Sequence, residues 1–289
     1  MVRWKVLSTA PNITYPILTG WLGSSSVAPR TSYRESPLEI MNKDKIIAEF
    51  KRIKALGYIV SSRSHNTGIG KTFEDLLGVT ENNQKDPDFE GFEVKSQREA
   101  TTSYLTMFTK SPSFPVGANA VLKDKFGTPD STFPEVKVLH TSCFGNSINS
   151  HASGYGFGLQ VDRTTRRVYL RVHDLKKDIL VPQDVYWTFE ELQQCLNSKL
   201  RAIFVVTADS KTENGREAFH YTAATIYYNL KFDLFLDALE HGDIMFDIRI
   251  GAYKTHGSPQ FGKPHDHGSG FRIKRAKLGK ICEETLQVG

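Results

Sequence analysis

The stretch N-N-Q-K-D-P-D-F-E-G-F-E-V-K-S-Q-R, residues 82–98, decides how the rest of this chain is interpreted. Within it, Phe92 and Val94 alternate with Glu93 and Lys95. A period of two residues is typical of a β-strand, whose successive side chains point to opposite faces. We therefore expect a strand that places the carboxylate of Glu93 and the ammonium group of Lys95 on the same face.

A second carboxylate precedes this strand. Asp88 is separated from Glu93 by four residues, and a turn through Pro87 and Gly91 is expected to bring it beside Glu93 and Lys95. Adjacent carboxylates repel each other unless a cation lies between them, and Mg²⁺ accepts such ligands while it keeps waters and substrate phosphate oxygens. The pattern thus indicates a site that cuts a phosphodiester, although a strand with a solvated face of alternating charge has the same appearance.

Composition limits the class of protein. With 289 residues, 39% of them hydrophobic, the chain can bury a substantial core, either as one large domain or as two lobes. Its net charge of +5 is compatible with a polyanionic partner. The absence of a membrane-length apolar run or a signal pattern predicts a soluble, cytoplasmic protein. The cysteines, Cys143, Cys195 and Cys282, are too far apart for a zinc ribbon or a disulfide framework.

Strands and helices alternate along the chain without internal repeats. Residues 1–41 are rich in Ser, Pro and Gly and are predicted to be an extension. Helices are predicted at 42–56, 70–77, 187–200 and 230–239, the third with a capping box formed by Thr188 and Glu191. Further strands are predicted at 101–108, 136–140, 157–161, 168–172, 202–207, 219–228 and 244–250. The predicted fold class is α/β or α+β with a mixed sheet.

The fragment G-K-T at 70–72 suggests a phosphate-binding P-loop, but the context excludes it. That loop needs a glycine five positions before Gly70, where His65 stands, and an apolar strand immediately before it. A helix at 70–77 is the better interpretation. Glu74 lies beside the apolar stripe of that helix, and a buried carboxylate needs a partner, which a metal ion, a lysine or the Asp88 loop would supply.

A second group of polar residues lies near the C-terminus. Asp247 and Arg249 are two residues apart in a strand and share a face, which is also the pattern of an internal salt bridge. The loop H-D-H-G-S-G-F-R then supplies His265, His267 and Arg272. Arginine binds guanine O6 and N7 in a bidentate manner, aspartate accepts from cytosine N4, and histidine can do either. We expect these residues to read a short G·C-rich site in double-stranded DNA. A zinc site at H-D-H lacks a suitably spaced third ligand.

Several motifs together resemble a known family, the MutH-like restriction endonucleases, and within it the MvaI/BcnI group. The matching segments are G-I-G-K-T-F-E-D-L-L-G-V-T-E-N-N at 68–83, P-D-F-E-G-F-E-V-K-S-Q-R at 87–98, L-T-M-F-T-K-S-P at 105–112, D-I-R at 247–249 and H-D-H-G-S-G-F-R at 265–272. They occur in the order found in the family. Residues 1–41 and most of 113–240 carry no matching motif.

The resemblance implies a PD-(D/E)xK nuclease core, with a central mixed sheet flanked by helices and a DNA cleft between two lobes. It implies a catalytic lobe at 42–155 and a recognition lobe at 156–289, after the extension at 1–41. By the same resemblance, Mg²⁺ would be bound by Asp88, Glu93 and the carbonyl of Val94. Lys95 would position and polarise the attacking water, and Glu74 would support the site.

The function implied by this resemblance is that of a type II restriction endonuclease. Enzymes of this group act as monomers on sites of the CC-W-GG or CC-S-GG kind and nick the two strands in turn. The implied reading residues are those near the C-terminus: Asp247, Arg249, His265, His267 and Arg272. The central base stays open, and a companion DNA methyltransferase encoded separately is expected from the family alone.

Two other functions fit parts of the sequence. A MutH-type mismatch-repair nickase shares the catalytic signature, but the segments at 247–249 and 265–272 resemble the recognition side of the restriction enzymes. A DNA-binding protein without catalysis would not need the complete set of Glu74, Asp88, Glu93 and Lys95. A sugar- or nucleotide-binding enzyme has no motif in its support.

Overall fold

Two mixed β-sheets with helices packed against them form the fold of this computed structural model. It describes residues 42–79 and 87–289, which belong to one compact unit, Pro37–Gly289. The predicted extension at 1–41 lies outside the described residues, as do residues 80–86 of the motif region. None of the described helices is both long enough and apolar enough to cross a lipid bilayer.

The helices and strands have the following bounds. The helices are α1 (Lys43–Lys54), α2 (Gly68–Leu77), α3 (Ala118–Phe126), α4 (Phe189–Lys199) and α5 (Phe232–Glu240), with a 3₁₀ helix at Arg275–Lys280. The strands are β1 (Ile59–Val60), β2 (Glu93–Arg98), β3 (Tyr104–Thr109), β4 (Thr128–Pro129), β5 (Lys137–Phe144), β6 (Asn149–Ser150), β7 (Tyr155–Asp162), β8 (Arg167–Asp174), β9 (Ile179–Leu180), β10 (Tyr186–Thr188), β11 (Ala202–Glu213), β12 (Arg216–Leu230), β13 (Ile244–Ala252), β14 (Pro264–Asp266), β15 (Gly270–Lys274) and β16 (Cys282–Val288).

Each sheet combines parallel and antiparallel pairs, which confirms the predicted α/β class with a mixed sheet. The first sheet has the order β1-β12-β11-β2, with β16 also paired to β12, and its parallel pair is β11 with β2. The second sheet has the order β10-β8-β7-β5-β13-β15-β3, and its parallel pair is β5 with β7. Each sheet takes strands from both sides of residue 155. The predicted division into lobes at 42–155 and 156–289 stays a prediction.

Strand β11 explains why the two sheets pack together. Its sequence begins A-I-F-V-V-T-A, an almost continuous apolar run, because the strand is buried on both faces. Phe204 and Val206 pack with the helices α1 and α2 in one hydrophobic cluster. Ile203 and Val205 point the other way, into the larger cluster that contains the inner face of the second sheet. The first sheet therefore lies between two cores.

The first two helices confirm their predictions because local signals control them. The side chain of Asn42 accepts a hydrogen bond from the backbone N–H of Lys45 at 3.0 Å and caps α1. Gly78 ends α2 in the left-handed conformation, with φ of 74°. Helix α2 begins two residues before the predicted start at 70.

Helix α4 is shorter than predicted, and its capping box forms only in part. Residues 186–188 form strand β10 instead, because Trp187 is fully buried against the ring of Phe246 at 4.5 Å. The hydroxyl of Thr188 accepts from the N–H of Glu191 at 3.3 Å, as expected. The Thr188 N–H, however, donates to the hydroxyl of Ser113 at 3.1 Å rather than to Glu191. Tertiary packing thus replaces the reciprocal half of the box.

Other boundaries also differ from the predictions. The helix predicted at 230–239 begins at Phe232, because Leu230 is still paired to Cys282 in the sheet. The hairpin strands β11 and β12 extend well beyond the predicted 202–207 and 219–228. The parts of both strands next to the hairpin turn carry mainly polar residues. They show no alternation of apolar residues, so the sequence did not predict that they pair.

We expect Gly145→Ala to lower the free energy of unfolding by about 1–3 kcal/mol, the usual cost of overpacking. Gly145 follows β5, and a methyl group there would overlap the carbonyl oxygen of Leu239 and lie 2.9 Å from its carbonyl carbon. Urea denaturation measures the change. Gly279→Ala is the matched control, since its nearest neighbour, a Thr285 methyl group, is 3.9 Å away. Equal stability of the two variants would contradict the prediction.

Candidate active site

Strand β2 presents its charged side chains as the alternation predicts. Phe92 and Val94 are buried in the cluster formed with α1 and α2. On the opposite face, Lys95 Nζ lies 2.5 Å from Glu93 Oε1. Glu93 is in register with Ile203 of β11, whose side chain belongs to the larger core. The carboxylate and the ammonium group therefore share the face of the first sheet that is directed toward the second sheet.

A tight turn brings Asp88 to this strand, which confirms that part of the expectation. Residues Phe89 and Phe92 exchange backbone hydrogen bonds of 3.1 and 2.8 Å across Glu90 and Gly91, which both have positive φ values of 49° and 85°. The turn places the carboxylate of Asp88 beside Val94, the middle residue of the E-V-K motif at 93–95.

That contact joins Asp88 to Val94. Asp88 Oδ2 accepts a hydrogen bond from the Val94 N–H at 2.9 Å. The N–H and C=O of one residue in a strand point to the same side, so the Val94 carbonyl also faces the edge where Asp88 lies. Strand β2 is the last strand of its sheet at this edge. Asp88 and the Val94 carbonyl thus offer oxygen atoms at an edge that no described strand covers.

Glu93 is a buried carboxylate whose ionised form is favoured by nearby positive charge. Only 7% of Glu93 is exposed. Burial raises its pKa above the usual value, Lys95 opposes that rise, and the negative charge of Asp88 adds to it. Lys199, the last residue of α4, also lowers the pKa of Glu93 through its positive charge. A further positive charge would stabilise the ionised form of this buried carboxylate, which lies next to another carboxylate.

The donor set at this edge fits a hard divalent cation. Two carboxylates and one carbonyl are the kind and number of protein ligands that Mg²⁺ takes when waters and phosphate oxygens complete its shell. Among residues 42–79 and 87–289, no group of three or more His, Cys, Asp or Glu side chains is arranged to hold a metal ion. Asp88, Glu93 and the Val94 carbonyl are the candidate ligands because of the oxygen atoms that they offer.

Glu74 lies on α2, half-buried and near Tyr221. Burial, followed by the negative charge of Glu74, raises the pKa of Tyr221, whose hydroxyl donates to the carbonyl of Ile69 at 2.8 Å. Glu74 is therefore close to the buried tyrosine that attaches α2 to the first sheet. Its expected role in supporting Asp88 and Glu93 stays a prediction.

The second sheet carries the predicted DNA-reading residues, which we call the recognition group: Asp247, Arg249, His265, His267 and Arg272. Asp247 connects the two arginines of this group. Its Oδ2 lies 3.3 Å from Nε of Arg249 and 3.1 Å from Nε of Arg272. Arg272 also donates through Nη2 to the carbonyl of Gly268 at 3.1 Å. The salt bridge that the D-x-R spacing allows is thus present, and it extends to a second arginine. Asp247 orients both guanidinium groups on one face.

The loop that carries the two predicted histidines is held by backbone contacts. Asp266 Oδ1 accepts from the N–H groups of Gly268 and Ser269 at 2.9 and 2.6 Å. The N–H of His267 donates to the carbonyl of Arg249 at 2.9 Å. The His265 and His267 rings are 4.5 Å apart between centroids. The structure therefore brings His267 beside Arg249, and His265 beside His267.

A cleft of about 770 Å³ is lined by one residue of each group. Lys95 lines it from the first sheet, and Arg272 lines it from the second. Ser96, Gln97 and Arg98 continue its wall along β2. A substrate bound in this cleft would touch Lys95 and Arg272 at once.

Sequence reasoning missed two residues of these groups. Lys199 influences Glu93, and His140 of β5 is in register with Arg249, with its ring 6.4 Å from that of His267. Neither residue has a local signal, because each comes close to its neighbours only through pairing between segments far apart in the chain. The exposed ring of His140 adds a polar group to the face that carries Arg249.

The histidines predict a pH dependence of stability. Burial and the neighbouring His265 and His140 lower the pKa of His267, while Asp266 opposes this and Lys254 adds to it. The unfolded chain therefore binds a proton at His267 more readily than the folded one, so the free energy of unfolding should fall as pH decreases through about 6.5. Urea denaturation at about pH 7.5 and about pH 5.5 measures this fall.

The variant His267→Asn isolates that contribution. It should show a smaller loss of stability between the two pH values than the wild type, because asparagine does not titrate. Part of the loss should remain, since burial and His140 also lower the pKa of His151. The same loss in the variant and in the wild type would contradict the prediction for His267.

Comparison with known families and structures gives a consistent result. The model of the MvaI/BcnI restriction endonuclease family matches residues 47–281. A comparison with curated proteins gave no match. The family match includes both the E-V-K strand and the recognition group.

Two solved structures are similar to this chain. One is described as the complex of restriction endonuclease MvaI with its cognate DNA substrate; it has 38% sequence identity and a TM-score of 0.77, and the match covers 85% of this chain and 98% of that one. The other is described as restriction endonuclease MvaI in the absence of DNA; it has 36% identity and a TM-score of 0.59, and covers 92% of this chain and 100% of that one.

Proposed function

The chain belongs to the MvaI/BcnI restriction endonuclease family and is a site-specific DNA endonuclease of type II, and from this premise we propose how its residues divide the work. Asp88, Glu93, Lys95 and the Val94 carbonyl form one Mg²⁺-dependent hydrolytic centre. Asp247, Arg249, His265, His267 and Arg272 read the DNA. The observation that carries the proposal is the single cleft lined by both Lys95 and Arg272.

The hydrolytic centre requires a divalent metal ion, which this family generally uses, and we assign Mg²⁺. The ligands are the carboxylates of Asp88 and Glu93 and the carbonyl of Val94. When bound, the ion neutralises charge that develops on the phosphate and makes a water molecule more acidic. Among the described residues no larger ligand group competes for the ion. Substrate phosphate and water complete a shell of this kind.

The remaining chemistry belongs to the chain itself. Lys95 points from the same face as Glu93, so its ammonium group can hold the attacking water and stabilise negative charge on the phosphate. Asp88 stays in position through its hydrogen bond to the Val94 N–H. Glu74 supports the centre from α2. Hydrolysis then leaves 3′-hydroxyl and 5′-phosphate ends.

DNA reading is assigned to the recognition group because its hydrogen-bond donors are oriented before DNA binds. Arg249 and Arg272 are held by one carboxylate oxygen, and a guanidinium group held in this way loses little freedom when it binds guanine O6 and N7. His265 and His267 add donors or acceptors at the same face. The proposed target is a C/G-framed site of the CCWGG or CCSGG kind.

The proposal includes the mode of cleavage. One E-V-K strand per chain is the minimum for one cut, and we propose a monomer that nicks each strand of the site in turn. A companion methyltransferase of the same specificity, encoded separately, is part of the same proposal. The competing possibility is a repair nickase that stops after the first cut.

A plasmid time course tests these statements. Purified protein is incubated with supercoiled plasmid and Mg²⁺, with EDTA as the metal-free control. Nicked circles that appear first and then give discrete fragments are expected, and sequencing the fragment ends names the site. Nicking that never proceeds to fragments would favour the repair nickase. Cleavage that persists in EDTA would remove the metal from the proposal.

A further inference from the structure

The outer face of β8 carries two arginines that are stacked on tyrosine rings. The apolar residues of this strand point inward and are buried, namely Val168, Leu170 and Val172. The alternate residues, Arg167, Tyr169 and Arg171, point outward. The guanidinium carbon of Arg171 lies 4.4 Å from the ring centroid of Tyr169, and that of Arg167 lies 4.1 Å from the ring centroid of Tyr186. We call Arg167 and Arg171 the β8 arginine pair.

The charge of the β8 arginine pair is not neutralised by a carboxylate. Among the described residues, none lies within ion-pair distance of Arg167 or Arg171. Arg171 Nε donates to Gln160 Oε1 at 2.6 Å, and Arg167 Nη1 donates to Tyr169 Oη at 3.3 Å. Asp184 acts on Arg167 only as a weak, longer-range charge. Asp162, the cross-strand neighbour of Arg167, acts on Arg171 in the same way as a charge without a direct ion pair. The hydrogen bonds that orient both guanidinium groups thus come from neutral groups.

The neighbouring hairpin tip differs. Arg163 lies 2.6 Å from Asp237 and 3.2 Å from Glu240, and Arg166 lies 2.9 Å from Glu190. Arginines next to the β8 arginine pair in sequence are thus neutralised by ion pairs within the protein. Among the described residues, the β8 arginine pair thus has no direct ion pair, whereas the arginines of the hairpin tip do.

The pair lies on the same sheet face as the recognition group. Direct pairing partners in a sheet point to one face, and an unbroken row of partners runs from Arg272 through Met245, Phe144 and Gly158 to Arg171. Four strand spacings correspond to about 19 Å. At 3.4 Å for each base pair, this is roughly five to six base pairs of duplex DNA. A ligand of Arg171 therefore lies beyond a five-base-pair site read by Arg272.

We propose that Arg167 and Arg171 bind backbone phosphates of duplex DNA that flanks the recognition sequence. The inference rests on the proposed function, because it takes Arg272 as a base-reading residue. Arg167 and Arg171 are four residues apart in β8, which corresponds to about 13 Å along the strand. This is close to the major-groove width of about 12 Å, so the two side chains can reach phosphates on either side of that groove. Arginine stacked on an aromatic ring is preorganised for bidentate phosphate binding. Such contacts strengthen binding without selecting a sequence.

Two duplexes and two matched double variants test the proposal. One duplex ends two base pairs outside the recognition sequence, and the other continues for ten more on each side. Binding is measured by fluorescence anisotropy over a range of salt concentrations, without divalent metal. The test variant is R167Q/R171Q, and the control is R163Q/R166Q, which changes the same number of charges on the same hairpin.

On the long duplex, R167Q/R171Q should reduce the slope of log K against log salt by about 1.8, since each phosphate contact contributes roughly 0.9. On the short duplex it should bind like the wild type and keep the same preference for the cognate site. R163Q/R166Q should keep the wild-type slope on both. The variant R167K/R171K keeps the charge and should recover most of the slope, which separates phosphate binding from misfolding.

Three results would overturn the proposal. An unchanged slope on the long duplex would show that the pair does not meet DNA. If R167Q/R171Q reduced the slope equally on both duplexes, the pair would contact DNA inside the site or next to it. If R163Q/R166Q reduced the slope as much as R167Q/R171Q, the effect would come from net charge alone. The proposed function fails separately, if Arg249→Ala and Arg272→Ala keep full discrimination in this assay.

Discussion

Replacing Lys95 with alanine is expected to slow DNA cleavage by at least about 10³-fold, which corresponds to about 4 kcal/mol of transition-state stabilisation. The ammonium group lies next to Glu93 on the face that lines the cleft, whereas Arg98, the other cation of β2, is paired with Glu217. DNA binding should change by less than about threefold, because one phosphate contact among many contributes little to affinity. Single-turnover cleavage and anisotropy measure the two quantities.

Lys211→Ala is the matched control for that experiment. Lys211 lies on β11 of the same sheet and also pairs with a glutamate two residues away, Glu213, at 2.7 Å. Its loss removes a strand lysine and an ion pair without touching the E-V-K strand, so cleavage should stay close to the wild-type rate. If Lys95→Ala cleaved as fast as Lys211→Ala, Lys95 would have no catalytic role.

Arg272→Ala is expected to weaken binding to the cognate site by about 10- to 100-fold, because a bidentate contact to guanine contributes roughly 1–3 kcal/mol. Its side chain is 14% exposed and paired with Asp247. Duplexes with one substituted base pair should lose much less affinity. Specificity should therefore relax at one position of the site.

The control for Arg272 is Arg275→Ala, three residues further along the chain. Arg275 pairs with Glu99 at 3.4 Å and is not part of the recognition group. Arg272→Lys, a second variant, keeps the charge but loses the bidentate geometry, and should discriminate as poorly as Arg272→Ala while it binds more tightly. A ratio of cognate to substituted affinity that stays at the wild-type value in Arg272→Ala would refute base reading by this residue.

The family and the arrangement of charged side chains on β2 were predictable because their signals are local. The alternation of Phe92, Glu93, Val94 and Lys95 determines which side chains share a face, whatever the strand pairs with. The turn that carries Asp88 depends on a glycine within the same short stretch. The same holds for the caps at Asn42 and Gly78. In each case the residues that decide the geometry are neighbours in sequence.

The ends of elements were less predictable because burial overrides local preference. The segment at 187–200 has a helical pattern throughout, yet Trp187 joins a strand because its ring fills the core against Phe246. Leu230 continues β12 because Cys282 pairs with it. A contact of this kind depends on a residue tens of positions away, which no window of sequence contains.

The sequence by itself determined the family of this protein and predicted its chemistry, since it placed two carboxylates and a lysine within one turn and one strand and grouped the arginines and histidines near the C-terminus. Only the tertiary structure decided that Lys95 and Arg272 line the same cleft, that Lys199 and His140 join their groups, and that Arg171 shares a row with Arg272. The physical reason is that side-chain alternation acts between neighbours in the chain, whereas strand order follows from the burial of two cores on either face of β11.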